Sequence, residues 1–190
     1  MGRVRIIAGN LKGRRLEVLD GPGLRPTPDR AREALFSILG SRVCGARVLD
    51  AYAGTGALGF EALSRGARHV VFVESSPAAA AQLERARARL GCLDVSRVQT
   101  GDVVALFDRG GLAGPFDLIL ADPPYGSGEH DRFLAALGRH RPVAPGGWLV
   151  LEDEAQKTAV SGAEPAGLTP IRQSTYGRSL LHFYEAVGES

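Results

Sequence analysis

The strongest constraint on the fold of this 190-residue chain is a regular alternation of short apolar segments with helix-forming segments. Short runs rich in Val, Leu and Phe predict buried strands, and longer amphipathic runs between them predict helices. The alternation therefore predicts an α/β fold with a parallel sheet covered by helices on both faces. The predicted core strands are 47–53, 69–74, 96–100, 116–121 and 147–152. The predicted helices between them are 57–64, 77–90, a short one ending near 108, and 131–139. A closing antiparallel pair of strands is predicted at 168–173 and 179–186.

Polar residues follow the predicted strands at the point where each strand ends. Asp50 ends the first core strand, Glu74 ends the second, Asp102 follows the third and Asp122 follows the fourth. Ligands of parallel α/β sheets bind at the carboxyl ends of the strands. We therefore expect these carboxylates, which are far apart in sequence, to converge on one crevice.

A glycine-rich turn, Gly54-Thr55-Gly56-Ala57-Leu58-Gly59, links the first core strand to a helix. This G-x-G-x-x-G spacing is typical of adenosine-containing cofactors, and Glu74 is placed to bind a ribose, which suits NAD as well as other cofactors. Asp50 would repel a pyrophosphate on the helix N-terminus and favours an amine-bearing ligand, such as the methionine end of S-adenosylmethionine. Asp102 is placed for an adenine amine.

The fourth core strand runs directly into Asp122-Pro123-Pro124-Tyr125. A carboxylate and a proline carbonyl at a strand end can accept the two N–H bonds of a planar amine and aim its lone pair at an electrophile. An aromatic side chain beside them can stack on a flipped base. The motif has no evident use in hydride transfer, so it favours a methyl donor over NAD.

Positive charge is concentrated at the N-terminus. Residues 1–47 hold ten Lys and Arg against four Asp and Glu, a net +6, whereas residues 48–190 carry a net −4. This asymmetry indicates contact with a polyanion. Residues 3–8 and 14–19 predict a β-hairpin that must dock on the main domain or on a partner, and a Pro/Gly-rich connector, 20–28, leads to a helix from Asp29 to Leu39. The basic residues predicted to make this contact are Arg3, Arg5, Lys12, Arg14, Arg15, Arg25 and Arg30.

The remaining composition favours an ordinary cytoplasmic protein. The N-terminus lacks the apolar segment of a secretory signal, and no run approaches a membrane span. The two cysteines, Cys44 and Cys92, have neither disulfide-framework nor metal-ligand spacing. We therefore expect no metal and no membrane.

Taken together, these motifs resemble the class I S-adenosylmethionine-dependent methyltransferases that methylate amino groups, and more closely the bacterial 16S rRNA guanine-N2 methyltransferases (ribosomal small subunit methyltransferase D). The resemblance covers nearly the whole chain. Its most specific part is the Arg-Pro-Thr segment joined to the hairpin. It is carried by RIIAG at 5–9, GRRL at 13–16, LRPT at 24–27, DR at 29–30, RE at 32–33, LF at 35–36, DAYAGTGALG at 50–59, EALSRGA at 61–67 and DPPY at 122–125.

The resemblance implies a Rossmann-like sheet, S-adenosylmethionine as methyl donor, and methyl transfer to N2 of a guanine in 16S rRNA on an assembling small subunit. It implies a monomer with a basic hairpin extension, 1–24, and a methyltransferase domain, 25–190. Asp122, Pro123, Pro124 and Tyr125 would be catalytic. The cofactor would contact Thr27, Asp50, Ala51, Tyr52, Gly54, Gly56, Glu74, Ser75, Asp102, Val103 and Asp122.

Three alternatives remain open at this stage. A DNA adenine-N6 methyltransferase can carry the same Asp-Pro-Pro-Tyr motif, although 190 residues leave little room for a target-recognition domain. A nucleotide-dependent oxidoreductase can use the glycine turn. A silent RNA-binding module would not need Asp50, Glu74 and Asp122.

Overall fold

The protein is built on a seven-stranded sheet with the strand order β5-β4-β3-β6-β7-β9-β8. A computed structural model describes residues 3–18, 29–124, 128–155 and 167–188. The first five strands in this order, β5, β4, β3, β6 and β7, are parallel to one another. Strands β9 and β8 then pair antiparallel beside β7 and complete the sheet. The sheet strands are β3 (Arg47–Asp50), β4 (His69–Glu74), β5 (Ser96–Thr100), β6 (Phe116–Ala121), β7 (Val143–Glu154), β8 (Leu168–Tyr176) and β9 (Ser179–Ala186).

Helices cover both faces of this sheet and divide the core in two. The helices are α1 (Asp29–Leu39), α2 (Ala57–Ser64), α3 (Pro77–Leu90), α4 (Val103–Asp108) and α5 (Glu129–His140), with a short 3₁₀ turn, Gly40–Val43, after α1. Apolar residues of α1, α2 and α3 form one buried cluster, and those of α4 and α5 form the other. Successive strand residues alternate between them: Val48 lies in the first cluster and Leu49 in the second. The predicted α/β fold class is confirmed.

The predicted hairpin is present and packs on the main domain. Strands β1 (Arg3–Arg5) and β2 (Arg15–Glu17) pair antiparallel, and the buried side chains of Val4, Ile6 and Leu16 belong to the same cluster as α1, α2 and α3. Burying these side chains supplies the stability that an isolated hairpin lacks. The hairpin therefore shares its core with the rest of the chain. The division into an extension, 1–24, and a methyltransferase domain, 25–190, stays a prediction.

Two side chains of α2 fasten the hairpin turn to that core. Glu61 is completely buried and accepts hydrogen bonds from the N–H groups of Ile7 at 2.7 Å and Ala8 at 3.1 Å. The hydroxyl of Ser64 donates to the carbonyl of Ala8 and accepts from the N–H of Leu11 at 2.9 Å. Since the turn lacks a partner strand for these backbone groups, α2 satisfies them instead.

Arg32 has a different role from the one its charge suggests. Arg32 is one of the ten Lys and Arg that make residues 1–47 basic, but its side chain is fully buried. Its guanidinium donates to the Arg5 carbonyl at 2.8 Å and to the Asp29 carboxylate at 2.7 Å. Arg32 therefore joins α1 to the hairpin and does not contribute to an exposed basic surface.

The connector predicted at 20–28 lies outside the described residues. Within the described ranges, none of the helices combines the length and the apolar character needed to cross a bilayer.

Candidate active site

The carboxyl ends of the parallel strands form one edge, as the sequence predicts. Backbone hydrogen bonds tie the segments that follow these strands to each other: the N–H of Ala51 donates to Leu120, that of Ala53 to Val73, and that of Gly101 to Glu74. The residues after β3, β4, β5 and β6 therefore lie side by side in strand order. Among the described residues, no group of three or more His, Cys, Asp or Glu is arranged to hold a metal ion.

Glu74 holds the glycine turn in place. One carboxylate oxygen accepts the N–H of Gly54 at 2.8 Å, and the other accepts the N–H of Ser76 at 2.7 Å. Each oxygen keeps acceptor capacity for a further donor, since a carboxylate can accept about four hydrogen bonds. The contact of Glu74 with a ribose stays a prediction.

The two glycines of the turn that were assigned to the cofactor differ in their surroundings. Both have positive φ, 51° at Gly54 and 75° at Gly56. A Cβ at Gly56 would lie 2.6 Å from a methyl of Leu83, whereas a Cβ at Gly54 would meet nothing within 4 Å. Gly56 therefore permits close packing of α2, and Gly54 leaves open space where a ligand can approach the backbone.

Asp50 is directed into the protein. Its side chain is 2% exposed, and Oδ2 accepts the N–H of Gly59 at 2.9 Å. Burial raises the pKa of this carboxyl to about 7; the N–H of Gly59 opposes that rise, and the nearby charge of Glu74 adds to it. Asp50 thus anchors the start of α2, and its contact with a cofactor amine stays a prediction.

The raised pKa of Asp50 predicts how stability depends on pH. The usual pKa is 3.8 and the folded value about 7, so between these pH values the folded chain binds more protons than the unfolded chain. The contribution of Asp50 to the free energy of unfolding therefore falls as pH rises through this window, by up to about 1.4 kcal/mol per pH unit. Above the window this contribution no longer changes with pH. Asp50→Asn should lack this contribution, so we expect its urea-unfolding free energy to rise relative to the parent protein between pH 4.5 and 8. Parallel pH curves for the two proteins would contradict this assignment.

Asp102 and Tyr52 are tied to the first turn of α5. Asp102 caps α4 by accepting the N–H of Ala105 at 2.7 Å, and it forms a two-point ion pair with Arg132 at 2.6 and 2.8 Å. The hydrogen bonds from Arg132 lower the pKa of Asp102 and keep it ionised. The hydroxyl of Tyr52 donates to Glu129 at 3.0 Å, and burial raises the pKa of Tyr52, so it remains a donor.

The other predicted cofactor residues have different exposures. Ala51 and Val103 are buried beneath the crevice, and Ser75 is exposed at the end of β4. Thr27 lies outside the described residues.

The predicted catalytic motif begins as the sequence indicates. Asp122 directly follows β6, which lies between β3 and β7 in the middle of the sheet. The side chain of Asp122 is half-buried, Pro123 is buried and Pro124 is exposed. Tyr125 lies outside the described residues, so its stacking role stays a prediction.

The predicted RNA contacts are mostly solvent-exposed. Arg5, Lys12, Arg14, Arg15 and Arg30 are exposed, while Arg25 and the side chain of Arg3 lie outside the described part of the chain. The charge of Arg5 is shared with Asp29, whose carboxylate lies 3.0 Å from its guanidinium.

The sequence did not reveal Glu129 and Arg132 as site residues. They follow the Asp-Pro-Pro-Tyr motif on the first turn of α5, and they are three residues apart, which places them on one helix face. This local spacing is a usable signal for the pair. Nothing in the sequence connects Arg132 to Asp102, which lies 30 residues earlier.

Comparison with known proteins decides the family. The model of a family described as Conserved hypothetical protein 95 matches residues 4–185. The chain is 35% identical to ribosomal RNA small subunit methyltransferase D of Escherichia coli, over 100% of this chain and 94% of that protein. It is 33% identical to the protein of the same name from Haemophilus influenzae, over 97% of this chain and 94% of that one. The chain belongs to the ribosomal RNA small subunit methyltransferase D family.

Structural comparison agrees with this family. The solved structure of the protein yhhF from Escherichia coli superposes with a TM-score of 0.83 at 32% identity, covering 99% of this chain and 100% of that one. Membership of the ribosomal RNA small subunit methyltransferase D family also decides between the two uses of the glycine turn: the turn belongs to a methyltransferase, and the oxidoreductase alternative is excluded.

Proposed function

We propose that this protein transfers a methyl group from S-adenosylmethionine to the exocyclic N2 of a guanine in 16S rRNA. Two relatives at 33% and 35% identity are named for ribosomal RNA of the small subunit, which supports the class of substrate. The observation that carries the chemistry is the position of Asp122-Pro123-Pro124, at the end of a central strand and beside the glycine turn.

The residues at the strand ends fit this cofactor. A Cβ at Gly54 would meet nothing within 4 Å, and Arg132 lowers the pKa of Asp102. In the proposed complex Glu74 would accept hydrogen bonds from the ribose, and Asp102 would accept one from the adenine amine. Thr27 is assigned to the methionine end by family resemblance. When bound, S-adenosylmethionine supplies an electrophilic methyl group on a positively charged sulfur.

Asp122 and Pro123 would act on the nucleophile. The lone pair of a guanine amino group is delocalised into the ring, which makes the nitrogen a poor nucleophile. The carboxylate of Asp122 and the carbonyl of Pro123 would accept its two N–H bonds and direct the lone pair at the methyl group. The same acceptors stabilise the positive charge that develops on nitrogen until a proton leaves. Tyr125 would stack on the flipped base.

The basic N-terminal surface suits the RNA substrate. Lys12, Arg14, Arg15 and Arg30 are exposed, and Lys and Arg contacts with phosphate supply sequence-independent affinity for nucleic acid. With Arg3, Arg5 and Arg25 they would hold the rRNA, within an assembling small subunit, while one base enters the site. We propose that the protein acts as a cytoplasmic monomer.

Methyl transfer with base mapping tests the proposal. Tritiated S-adenosylmethionine is offered to the purified protein with 16S rRNA, with small-subunit particles from cells that lack the enzyme and, separately, with double-stranded DNA. We expect label in the RNA and, after digestion, in N2-methylguanosine at one position. Label in N6-methyladenine, on RNA or on DNA, would contradict the guanine assignment and favour the adenine-N6 alternative.

A further inference from the structure

A continuous chain of polar side chains links the cofactor side of the site to the start of α5. Arg132 donates through Nη2 and Nη1 to the two oxygens of Asp102, at 2.6 and 2.8 Å. Nη1 also lies 3.1 Å from an oxygen of Glu129, and that same oxygen accepts the hydroxyl of Tyr52 at 3.0 Å. The chain therefore joins the turn after β3, the turn after β5 and the first turn of α5.

The ion pair between Arg132 and Asp102 has the geometry of a positioning contact. A planar guanidinium that meets both oxygens of a carboxylate fixes its orientation, which a single contact does not. Asp102 is held from a second direction as well, because Oδ1 accepts the N–H of Ala105 at 2.7 Å. Both partners remain partly solvent-exposed, at 46% and 38% of their side-chain surface. Exposed pairs contribute little to stability, so the main effect of this one is on orientation.

The start of α5 is fixed by this chain together with a ring contact. Tyr52 meets Phe133 edge to face, with ring centroids 5.4 Å apart. These contacts fix the first turn of α5 to the turn after β3 as well as to Asp102.

We infer that Arg132 is a positioning residue: from the first turn of α5 it fixes the carboxylate of Asp102 for the adenine amine. The inference rests on the proposed function. A carboxylate that cannot turn away accepts a hydrogen bond from the 6-amino group of adenine and repels the 6-carbonyl group of hypoxanthine. Without Arg132 the carboxylate can rotate, and this discrimination is reduced.

The chain supplies a matched control for Arg132. Arg139 lies two turns later on α5, is 53% exposed, and pairs with Asp108 of α4 through one contact at 3.1 Å. Arg132→Ala and Arg139→Ala each remove an exposed arginine that bridges α5 to a carboxylate near α4. Arg132→Ala frees Asp102, which lies at the proposed cofactor site, whereas Arg139→Ala frees a contact of Asp108, which does not.

The test measures calorimetric affinity for S-adenosylhomocysteine and for S-inosylhomocysteine, together with kcat and KM for methyl transfer. We expect Arg132→Ala to lose about tenfold in affinity for the adenosyl compound and little for the inosyl compound, because only the first has a 6-amino group to donate to Asp102. Its KM for S-adenosylmethionine should rise about tenfold while its kcat stays within about threefold, because the contact acts on cofactor binding. Arg132→Lys should recover part of both effects, and Arg139→Ala should stay within about threefold of the parent protein.

Thermal unfolding separates positioning from folding. Arg132→Ala should melt at the same temperature as Arg139→Ala; if it melts lower, the comparison is made with Arg132→Lys. An unchanged affinity ratio and an unchanged KM for S-adenosylmethionine in a folded Arg132 variant would overturn the inference and leave the proposed function intact. A parent protein that binds neither compound would overturn the proposed function, and the inference with it.

Discussion

Replacing Asp122 with alanine is expected to lower kcat for methyl transfer by about 10³-fold, the effect of removing a group that stabilises developing charge. Asp122 lies at the end of β6 beside the segments after β3 and β7, where its carboxylate can reach a substrate amine. Glu74 holds the glycine turn by accepting the N–H of Gly54, a hydrogen bond in which Asp122 takes no part. Because Asp122 is only one of the predicted cofactor contacts, affinity for S-adenosylhomocysteine, measured by calorimetry, should fall far less than kcat.

Asp117 gives a control on the same strand. It lies near the opposite end of β6, where its carboxylate accepts the N–H of Arg47 at 2.7 Å. Asp117→Ala removes a carboxylate from β6 without touching the strand-end crevice, so its kcat should match the parent protein once its folding has been verified. Asp122→Asn keeps one acceptor oxygen but loses the charge, so its kcat should lie between that of Asp122→Ala and that of Asp117→Ala. Near-complete methyl transfer by Asp122→Ala, with cofactor affinity intact, would disprove the assigned role.

Local patterns predicted the helices and the succession of strands along the chain. Helix α1 was expected to run from Asp29 to Leu39, and it begins and ends at those residues. Helices α2 and α3 also have the predicted bounds. Their ends are set by neighbouring residues: Ser76 caps α3 through the N–H of Ala79, and Gly91 ends it in the left-handed conformation. Signals of this kind can be read from a few consecutive residues.

Pairing between distant segments set the bounds that the sequence missed. Strand β7 was expected over 147–152 but runs from Val143 to Glu154, because it pairs with β6 on one side and with β9 on the other. The hairpin strands are shorter than predicted, because the backbone beyond Arg5 bonds to α2 at Ile7 and Ala8. Neither effect leaves a periodic pattern in the local sequence.

The same distinction applies to the site. The sequence placed Asp50, Glu74, Asp102 and Asp122 at the strand ends, because strand ends can be located from hydrophobic pattern alone. It did not show where each carboxylate points. Asp50 turns into the core toward Gly59, and Asp102 is paired with Arg132 from a helix 30 residues later. Side-chain direction depends on packing between elements, and one sequence does not contain it.

The second large effect is expected on stability, from Gly9→Ala. Gly9 and Gly13 flank the hairpin turn and both have a φ of 80°. A Cβ at Gly9 would lie 1.7 Å from the carbonyl oxygen of Ser64, whereas a Cβ at Gly13 would meet nothing within 4 Å. Alanine at either position incurs left-handed backbone strain of about 1–2 kcal/mol. Only Gly9→Ala must also push the turn away from α2, for a further penalty on the order of 1–3 kcal/mol.

Denaturant unfolding of Gly9→Ala and Gly13→Ala therefore separates docking of the turn from backbone strain. Displacing the turn breaks the hydrogen bonds from Asn10 and Leu11 to Ser64, which are 2.8 and 2.9 Å long. It also moves Lys12 and Arg14, so Gly9→Ala should weaken binding to 16S rRNA more than Gly13→Ala does, while both keep the parent affinity for S-adenosylhomocysteine. Equal stability and equal RNA affinity in the two variants would mean that contact with α2 does not hold the turn. The basic surface would then owe its position to the β1–β2 pairing, to Arg32 and to the buried side chains of the hairpin.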